Sequence, residues 1–326
     1  MIQKDYSFLL ERPEWNFDDV RIDASLANKR VLITGAGGSI GSALANRVAN
    51  SPAQSLAVIG HSELPIFNLC ADLSNSKVPI HSGIFDVGSE LFANFIPFWR
   101  PDIILHAAAH KHVGLMQAQP EAAFKNNTET TILLAKAAIR SKARFIFIST
   151  DKAVNPTSIM GSSKRLAEAW VLTHFPDARI CRFGNVLGSS GSLVEILEQR
   201  IAAGESIRLT SPEMKRYFIT AKEAVGLVLT SGLLLDAGLY SLEMCEQVPI
   251  VNIARKLGPD SVIEWTNPGS GEKFDEEVIG HGEEKVLTSH PGIFRVDSNL
   301  LVDRVEWCLR QVRNDISQLQ PIAHRI

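Results

Sequence analysis

The chain has 326 residues, 45% of them apolar and 21% charged, with a formal net charge of −3. That length supports one large α/β domain and a smaller lobe, and the near-neutral charge excludes an electrostatic footprint for nucleic acid or an anionic membrane. The four cysteines, Cys70, Cys181, Cys245 and Cys308, are far apart and form no Cys-x-x-Cys pair, so they read as reduced thiols of a cytoplasmic protein, not metal ligands.

The opening MIQKDYSFLLERPEWNF has neither a long apolar core nor a cleavage site. No stretch reaches the roughly 18 uninterrupted apolar residues that a bilayer span needs. Residues 1–28 read as an N-terminal extension lying on the domain surface. Strand patterns follow at KRVLITG (29–35), SLAVIG (55–60), VPIHSGIF (78–85), DIILHAAA (102–109), RFIFIST (144–150) and ARICRFG (178–184). Helical patterns such as NTETTILLAKAAIRSK and SSKRLAEAWVLTHF fill the gaps. This alternation predicts an α/β fold, a Rossmann-type doubly wound parallel sheet occupying residues 29–184. Beyond about residue 185 the pattern is less regular, with a helix at SLVEILEQRIAAG, a strand at GLYSLEM and a helix at VNIARKLG. Residues 185–326 read mainly as a smaller C-terminal substrate-binding lobe, with some segments returning to the sheet.

The first strand runs into TGAGGSIG, where Gly35, Gly38 and Gly41 bracket Ser39 and Ile40. Glycines between a strand and a helix let backbone amides approach a pyrophosphate with no Cβ in the way. Asp86, with Val87 beside it after the third strand, is placed near the adenine. Ala107 and Ala108, in HAAA, let the backbone lie against a cofactor. The second strand ends in Gly60-His61-Ser62-Glu63, with glycine where an acid would bind the NAD ribose. Either Glu63 reaches in from the turn, or the site takes NADP with His61 near the phosphate; NAD is slightly favoured.

The fifth strand leads into STDKAVNPTSIMGSSK. Met160 and Lys164 stand four apart, the spacing of the Tyr-x-x-x-Lys pair of short-chain dehydrogenases, but no tyrosine is present. A thioether cannot shuttle a proton, so Met160 shapes the pocket at most. His110, Lys111 and His112 follow the fourth strand, at the sheet edge where ligands of such folds bind.

The segments TGAGGSIGS, HAAAHKHVGLM, STDKAVNPTSIMGSSKRLAE, CRFGNVLGSSGS, GEKF and TSHPGI, in this order, resemble the soluble catalytic domain of the bacterial UDP-N-acetylglucosamine 4,6-dehydratases. These belong to the polysaccharide-biosynthesis branch of the extended short-chain dehydrogenases/reductases. The resemblance runs from about residue 8 to about residue 300 and points to the Met-for-Tyr subgroup. Many members of that subgroup carry N-terminal membrane helices; the expectation here is the catalytic part without them.

The resemblance implies oxidation at C4 of a UDP-N-acetylhexosamine, elimination of water across C5 and C6, and hydride return to C6. The cofactor, NAD or NADP, would stay bound and be regenerated each turnover. By resemblance Asp151 is the acid and Lys152 the base at C5, with Thr150 orienting substrate near C4 and Lys164 holding the nicotinamide ribose. A lysine base must be deprotonated, and burial with nearby Lys164 would lower the Lys152 pKa. The group that takes the C4 hydroxyl proton stays open between Asp151, Thr150 through water, and a ribose–Lys164 relay. Lys111 and His112, with Asn185, Ser189, Ser192 and Arg216, match the substrate side, the last four near the diphosphate. A homo-oligomer with a nucleotide-sugar substrate is implied.

Several positions depart from the family pattern: Gly114 and Gln117 replace a Pro and a Glu, Glu195 replaces a proline, and Gly269 replaces an arginine that helps hold the nucleotide. Losing such a charge-assisted contact costs on the order of 1.5–3 kcal/mol unless it is replaced. Two other functions compete: a C4 epimerase or keto-reductase on the same scaffold, and a non-catalytic dinucleotide-binding protein.

Overall fold

In the computed structural model, which describes residues 4–326, the first apolar run forms strand β1 (Arg30–Thr34), buried from Val31 onward. Strands β2 (Ser55–Gly60), β3 (Ile80–Ile84), β4 (Ile103–His106), β5 (Arg144–Ile148), β6 (Arg179–Arg182) and β7 (Gly238–Leu242) join it. All seven are parallel, in the order β3-β2-β1-β4-β5-β6-β7. Strands β8 (Glu283–Leu287) and β9 (Ile293–Ser298) extend the sheet antiparallel, β9 against β7 and β8 against β9. The sheet is therefore the doubly wound type, and its middle strands are continuous apolar runs because both faces are covered.

Alternate side chains of each strand feed two cores. Val31 and Ile33 face the helices Ser39–Ala49 and Ala221–Leu234. Leu32, Phe145 and Phe147 face the opposite layer, which includes Thr130–Ser141, Ile159–His174 and Val302–Asn314. A third core, around Leu187, Val194, Leu197, Ile207, Phe218 and Ile253, builds a separate lobe beside the carboxyl edge. Its strands are only two or three residues long: Ile207–Leu209 pairs with Ile263–Trp265, and Lys215–Arg216 with Val248–Pro249.

The N-terminal segment does more than lie on the surface. Leu9 and Leu10 are buried in the lobe core, and Ile22 and Leu26 of the Asp19–Leu26 helix are buried in the sheet core. Between them Arg12 makes a two-pronged pair with the fully buried Glu223, at 2.6 and 3.1 Å. Glu223 also completes the capping box that starts the Ala221–Leu234 helix. Residues 1–3 of the extension lie outside the described residues.

Candidate active site

A cavity of about 940 Å³ opens where the strand order reverses, between β1 and β4. Its wall is made by the segments that leave β1, β4, β5 and β6, together with the Ser189–Ser192 loop of the lobe. That is the position where doubly wound sheets bind ligands.

The glycine turn forms one end of it. Gly35 has φ +68°, and a Cβ there would lie 2.6 Å from the Ala108 amide nitrogen. A Cβ at Gly41 would lie 2.1 Å from the Gly35 carbonyl. The strand, the turn and the Ser39–Ala49 helix can pack this closely only with glycine. Gly38 caps that helix with no side-chain hydrogen bond, so its first amides are left for a ligand. The turn thus fits the pyrophosphate of a dinucleotide, and Gly35, Gly38, Ser39, Ile40, Gly41 and Ala107 line the cavity, while Ala108 backs Gly35.

Three predicted cofactor positions stand off the cavity wall. Asp86 accepts from the Gly88 amide at 2.9 Å and shapes its own turn. Val87 is buried in the core. His61 is exposed with its ring on the Ser62 hydroxyl at 3.1 Å.

Strand β5 delivers the next group. Thr150 ends the extended run and caps a short 3₁₀ turn, Asp151–Ala153, within which the Asp151 and Lys152 side chains meet. Thr150 Oγ1 donates to Asp151 Oδ1 at 2.9 Å. Lys152 Nζ donates to Asp151 Oδ1 and to Asn185 Oδ1, each at 3.0 Å. Asp151 is fully buried behind the wall, with Oδ2 lacking a partner, while Thr150 and Lys152 line the cavity. Burial pulls the Lys152 pKa down, but Asp151 and Glu276 outweigh it, and the net shift is upward. This corrects the expectation of a lowered pKa: two carboxylates hold Lys152 as an ammonium.

The lowered lysine is Lys164. It sits on the Ile159–His174 helix, whose start is capped by Ser158 and packs against the Asp151–Ala153 turn at Gly161. Lys164 Nζ donates to the Ile148 carbonyl at 2.6 Å and lies 4.0 Å from the centre of the Phe147 ring. Burial brings its pKa to about 7, with Glu168 opposing. Beneath it His106, fully buried between Thr34 and Thr131 at 2.7 and 2.9 Å, is pushed down to about 3 by burial and by Lys164, so it is neutral. Met160 is 3% exposed and forms part of the wall.

On the substrate side Lys111, His112, Asn185, Ser189 and Ser192 line the cavity. Asn127, on a π-helical turn, grips both backbone groups of His110 at 2.8 and 2.9 Å and so fixes the basic run. Lys111 Nζ donates to the Ser190 carbonyl at 2.6 Å, and the Ser190 amide donates to Ser39 Oγ at 2.9 Å. The lobe loop is thereby tied across the glycine turn. The Ser149 and Ser192 hydroxyls are buried on this wall with no partner.

Arg216 lies elsewhere. It lines a second cavity of about 110 Å³ that meets the first at Val113, Lys152 and Glu272. Its guanidinium donates to the Lys215 and Phe274 carbonyls at 2.7 and 3.0 Å. Glu276 shares that cavity and escaped the sequence reading, because GEKFDEEVIG has no periodicity to single out one acid. Ser149, Asn127 and His106 were missed too, being polar residues inside apolar or helical patterns. The departures from the family pattern are absorbed locally: Gln117 accepts from the Ile159 amide at 3.1 Å, Glu195 accepts from the Gly191 amide, and the Gly269 amide donates to Glu272 at 3.1 Å.

The sheet order, the glycine turn and the lysine placed on the following helix define a Rossmann-type member of the extended short-chain dehydrogenase/reductase class. Residues 31–298 match the model of the family described as polysaccharide biosynthesis protein, and the chain belongs to that family. It is 37% identical to the capsular polysaccharide biosynthesis protein CapD of Staphylococcus aureus across 97% of this chain, but that alignment spans 56% of CapD. The chain thus spans little more than half the length of that relative. It is 25% identical to a UDP-N-acetylglucosamine 4,6-dehydratase (inverting) of Campylobacter jejuni, over 85% of both chains. Among solved structures, Pen from Bacillus thuringiensis superposes with a TM-score of 0.76 at 25% identity, over 85% of this chain and 89% of that one.

Proposed function

We propose that this chain is a nucleotide-sugar 4,6-dehydratase acting on a UDP-N-acetylhexosamine, with UDP-N-acetylglucosamine as the first candidate. The observation that carries the reading is the Thr150–Asp151–Lys152 turn, which sets an acid and an amine 3.0 Å apart beside a cavity with a dinucleotide cradle. An epimerase needs no such pair. The similarity to the Campylobacter jejuni dehydratase supports the same reading.

A bound nicotinamide dinucleotide would supply the hydride chemistry, taking a hydride from C4 of the sugar and giving it back at C6, while the C4 hydroxyl proton would pass through Thr150 to Asp151, whose Oδ1 accepts from Thr150. The chain supplies the rest. Lys164 would hold the ribose side of the cofactor. Thr150, on the wall, would position the C4 oxygen. Once C4 is a ketone, Lys152 removes the proton from C5. Asp151 hands a proton to the departing 6-hydroxyl; Thr150 and Lys152 both bond its Oδ1, which leaves Oδ2 as the atom able to carry that proton. Lys111, His112, Asn185, Ser189 and Ser192 would bind the nucleotide diphosphate and sugar. A cofactor regenerated within each turnover need not leave, consistent with the Ser190 loop tied over the cradle.

Incubation with NAD, and separately NADP, and a panel of UDP-, dTDP- and GDP-sugars tests the reading. A 4-keto-6-deoxy product from a UDP-N-acetylhexosamine is expected. A product formed without loss of water points instead to epimerase or reductase chemistry, and no product from any sugar defeats the assignment.

A further inference from the structure

A base held as an ammonium is unusable until its proton goes somewhere, and the cluster around Lys152 limits where. Nζ has three facing acceptors: Asp151 Oδ1 and Asn185 Oδ1 at 3.0 Å, and Glu276 Oε1 at 3.6 Å. Asn185 cannot take a proton at neutral pH. Asp151 Oδ1 already accepts from Thr150 and Lys152. Asp151 Oδ2 lacks a partner, but in the reading above it carries the proton meant for the 6-hydroxyl, which leaves Glu276 as the remaining acceptor. Its side chain is 3% exposed, its Oε1 stands 3.6 Å from Lys152 and 3.8 Å from Arg216, and its Oε2 has no partner. It is a carboxylate that neighbouring cations balance and that, among the described residues, no side chain hydrogen-bonds. Its backbone is fixed by the Gln247 side chain, which accepts from the Glu276 amide at 2.8 Å.

We propose that Glu276 is the positioning residue that receives the proton of Lys152 and so turns the amine into the base at C5. The inference rests on the dehydratase reading above. The exchange balances: the Lys152 ammonium loses a proton to become an amine, the Glu276 carboxylate gains it to become an acid, and the pair keeps its net charge. Lys152 then takes the C5 proton while the C6–oxygen bond breaks. A neutral Glu276 removes one of the two anions beside Lys152, which makes the amine form easier to hold. Burial raises the Glu276 pKa first, Lys152 lowers it, Asp151 raises it, and Arg216 and Lys273 lower it, with a net upward shift. These charged groups come from the Asp151–Ala153 turn, the Lys215–Arg216 strand and its own loop, and Glu272 of that loop also lines the small cavity. The small cavity puts Glu276 and Lys152 on one shared wall, beside the opening to the substrate space.

The test reads Lys152 directly and therefore does not depend on turnover. Lysine carrying a carbon-13 label at Cε is incorporated, the Lys152 resonance is assigned with Lys152→Ala, and its titration is followed in the wild type and in Glu276→Gln. The amide mimics the neutral acid. A fall of about 1–3 pH units in the Lys152 pKa is expected, the size set by loss of one adjacent opposite charge. In turnover assays the acidic limb of the pH–rate profile should move to lower pH with it, a change that a purely structural role would not produce. An unmoved Lys152 resonance overturns the proposal. If the amide variant does not fold, Glu276→Asp takes its place: a smaller downward shift supports the proposal, and no shift overturns it. If the wild type dehydrates no sugar, the functional reading falls, while the Lys152 titration still decides the role of Glu276.

Discussion

Lys164 reaches the cavity from a buried helix, with its amine on the Ile148 carbonyl and over the Phe147 ring. Burial brings its pKa from 10.5 to about 7, so between those values the folded chain holds it neutral while the unfolded chain holds it charged. The unfolded state therefore binds more protons, and stability rises with pH through that window. Lys164→Met removes the effect. Its stability relative to wild type, read from urea midpoints, is expected to be most favourable near pH 7 and to decline as pH approaches 10.5. A difference that stays flat with pH would show that Lys164 is charged in the folded state. Lys152, in the same cavity, is shifted the opposite way by Asp151 and Glu276. The residue types of STDKAVNPTSIMGSSK were legible as chemistry. The charge state of Lys152 was not, because Glu276 comes from a loop 124 positions later in the chain (276 − 152). Likewise Arg216 was legible as a cation but not as a side chain turned toward the Phe274 carbonyl and the small cavity.

The close approach of the Asp151–Ala153 turn to the Ile159–His174 helix needs a glycine at position 161. A Cβ at Gly161 would lie 2.1 Å from the Lys152 carbonyl and 3.2 Å from Ser158 Oγ, the atom that caps the helix. Gly161→Ala is expected to force the turn and helix apart, costing about 1–3 kcal/mol of stability in urea unfolding and displacing Lys152 from Asn185. Unchanged stability and turnover would mean that the turn yields freely. Strand β3, IHSGI, is an edge strand with no buried residue, whereas β1, β2, β4 and β5 were legible because buried parallel strands are apolar runs. The lobe strands, such as Lys215–Arg216 and Val248–Pro249, were not, since two residues carry no periodicity. β8 was hidden too: EEKVL is mostly exposed, and its placement comes from pairing with β9.

At the scale of the whole molecule, residues 4–28 join the two parts that meet at the cavity. Leu9 and Leu10 enter the lobe, Ile22 and Leu26 enter the sheet core, and Arg12 meets the fully buried Glu223 between them. Arg12→Ala would strand that carboxylate. A loss of about 3 kcal/mol is expected in urea unfolding, and a loss under about 0.5 kcal/mol, the usual effect of a surface change, would contradict it. A proline, Pro13, and a mixed pattern made this segment read as a surface extension, because the partner of Arg12 lies 211 residues away in sequence. Among the described residues no helix is long and apolar enough to cross a membrane. Under the proposed function, electrons leave C4 and return at C6 of the same sugar after water is lost. UDP-N-acetylglucosamine carrying deuterium at C4, incubated with the protein and NAD or NADP, tests it directly. The expected product is a 4-keto-6-deoxy sugar that has lost one water and carries the deuterium at C6. A sugar that keeps its water and is inverted at C4, or one recovered unchanged, would contradict the account.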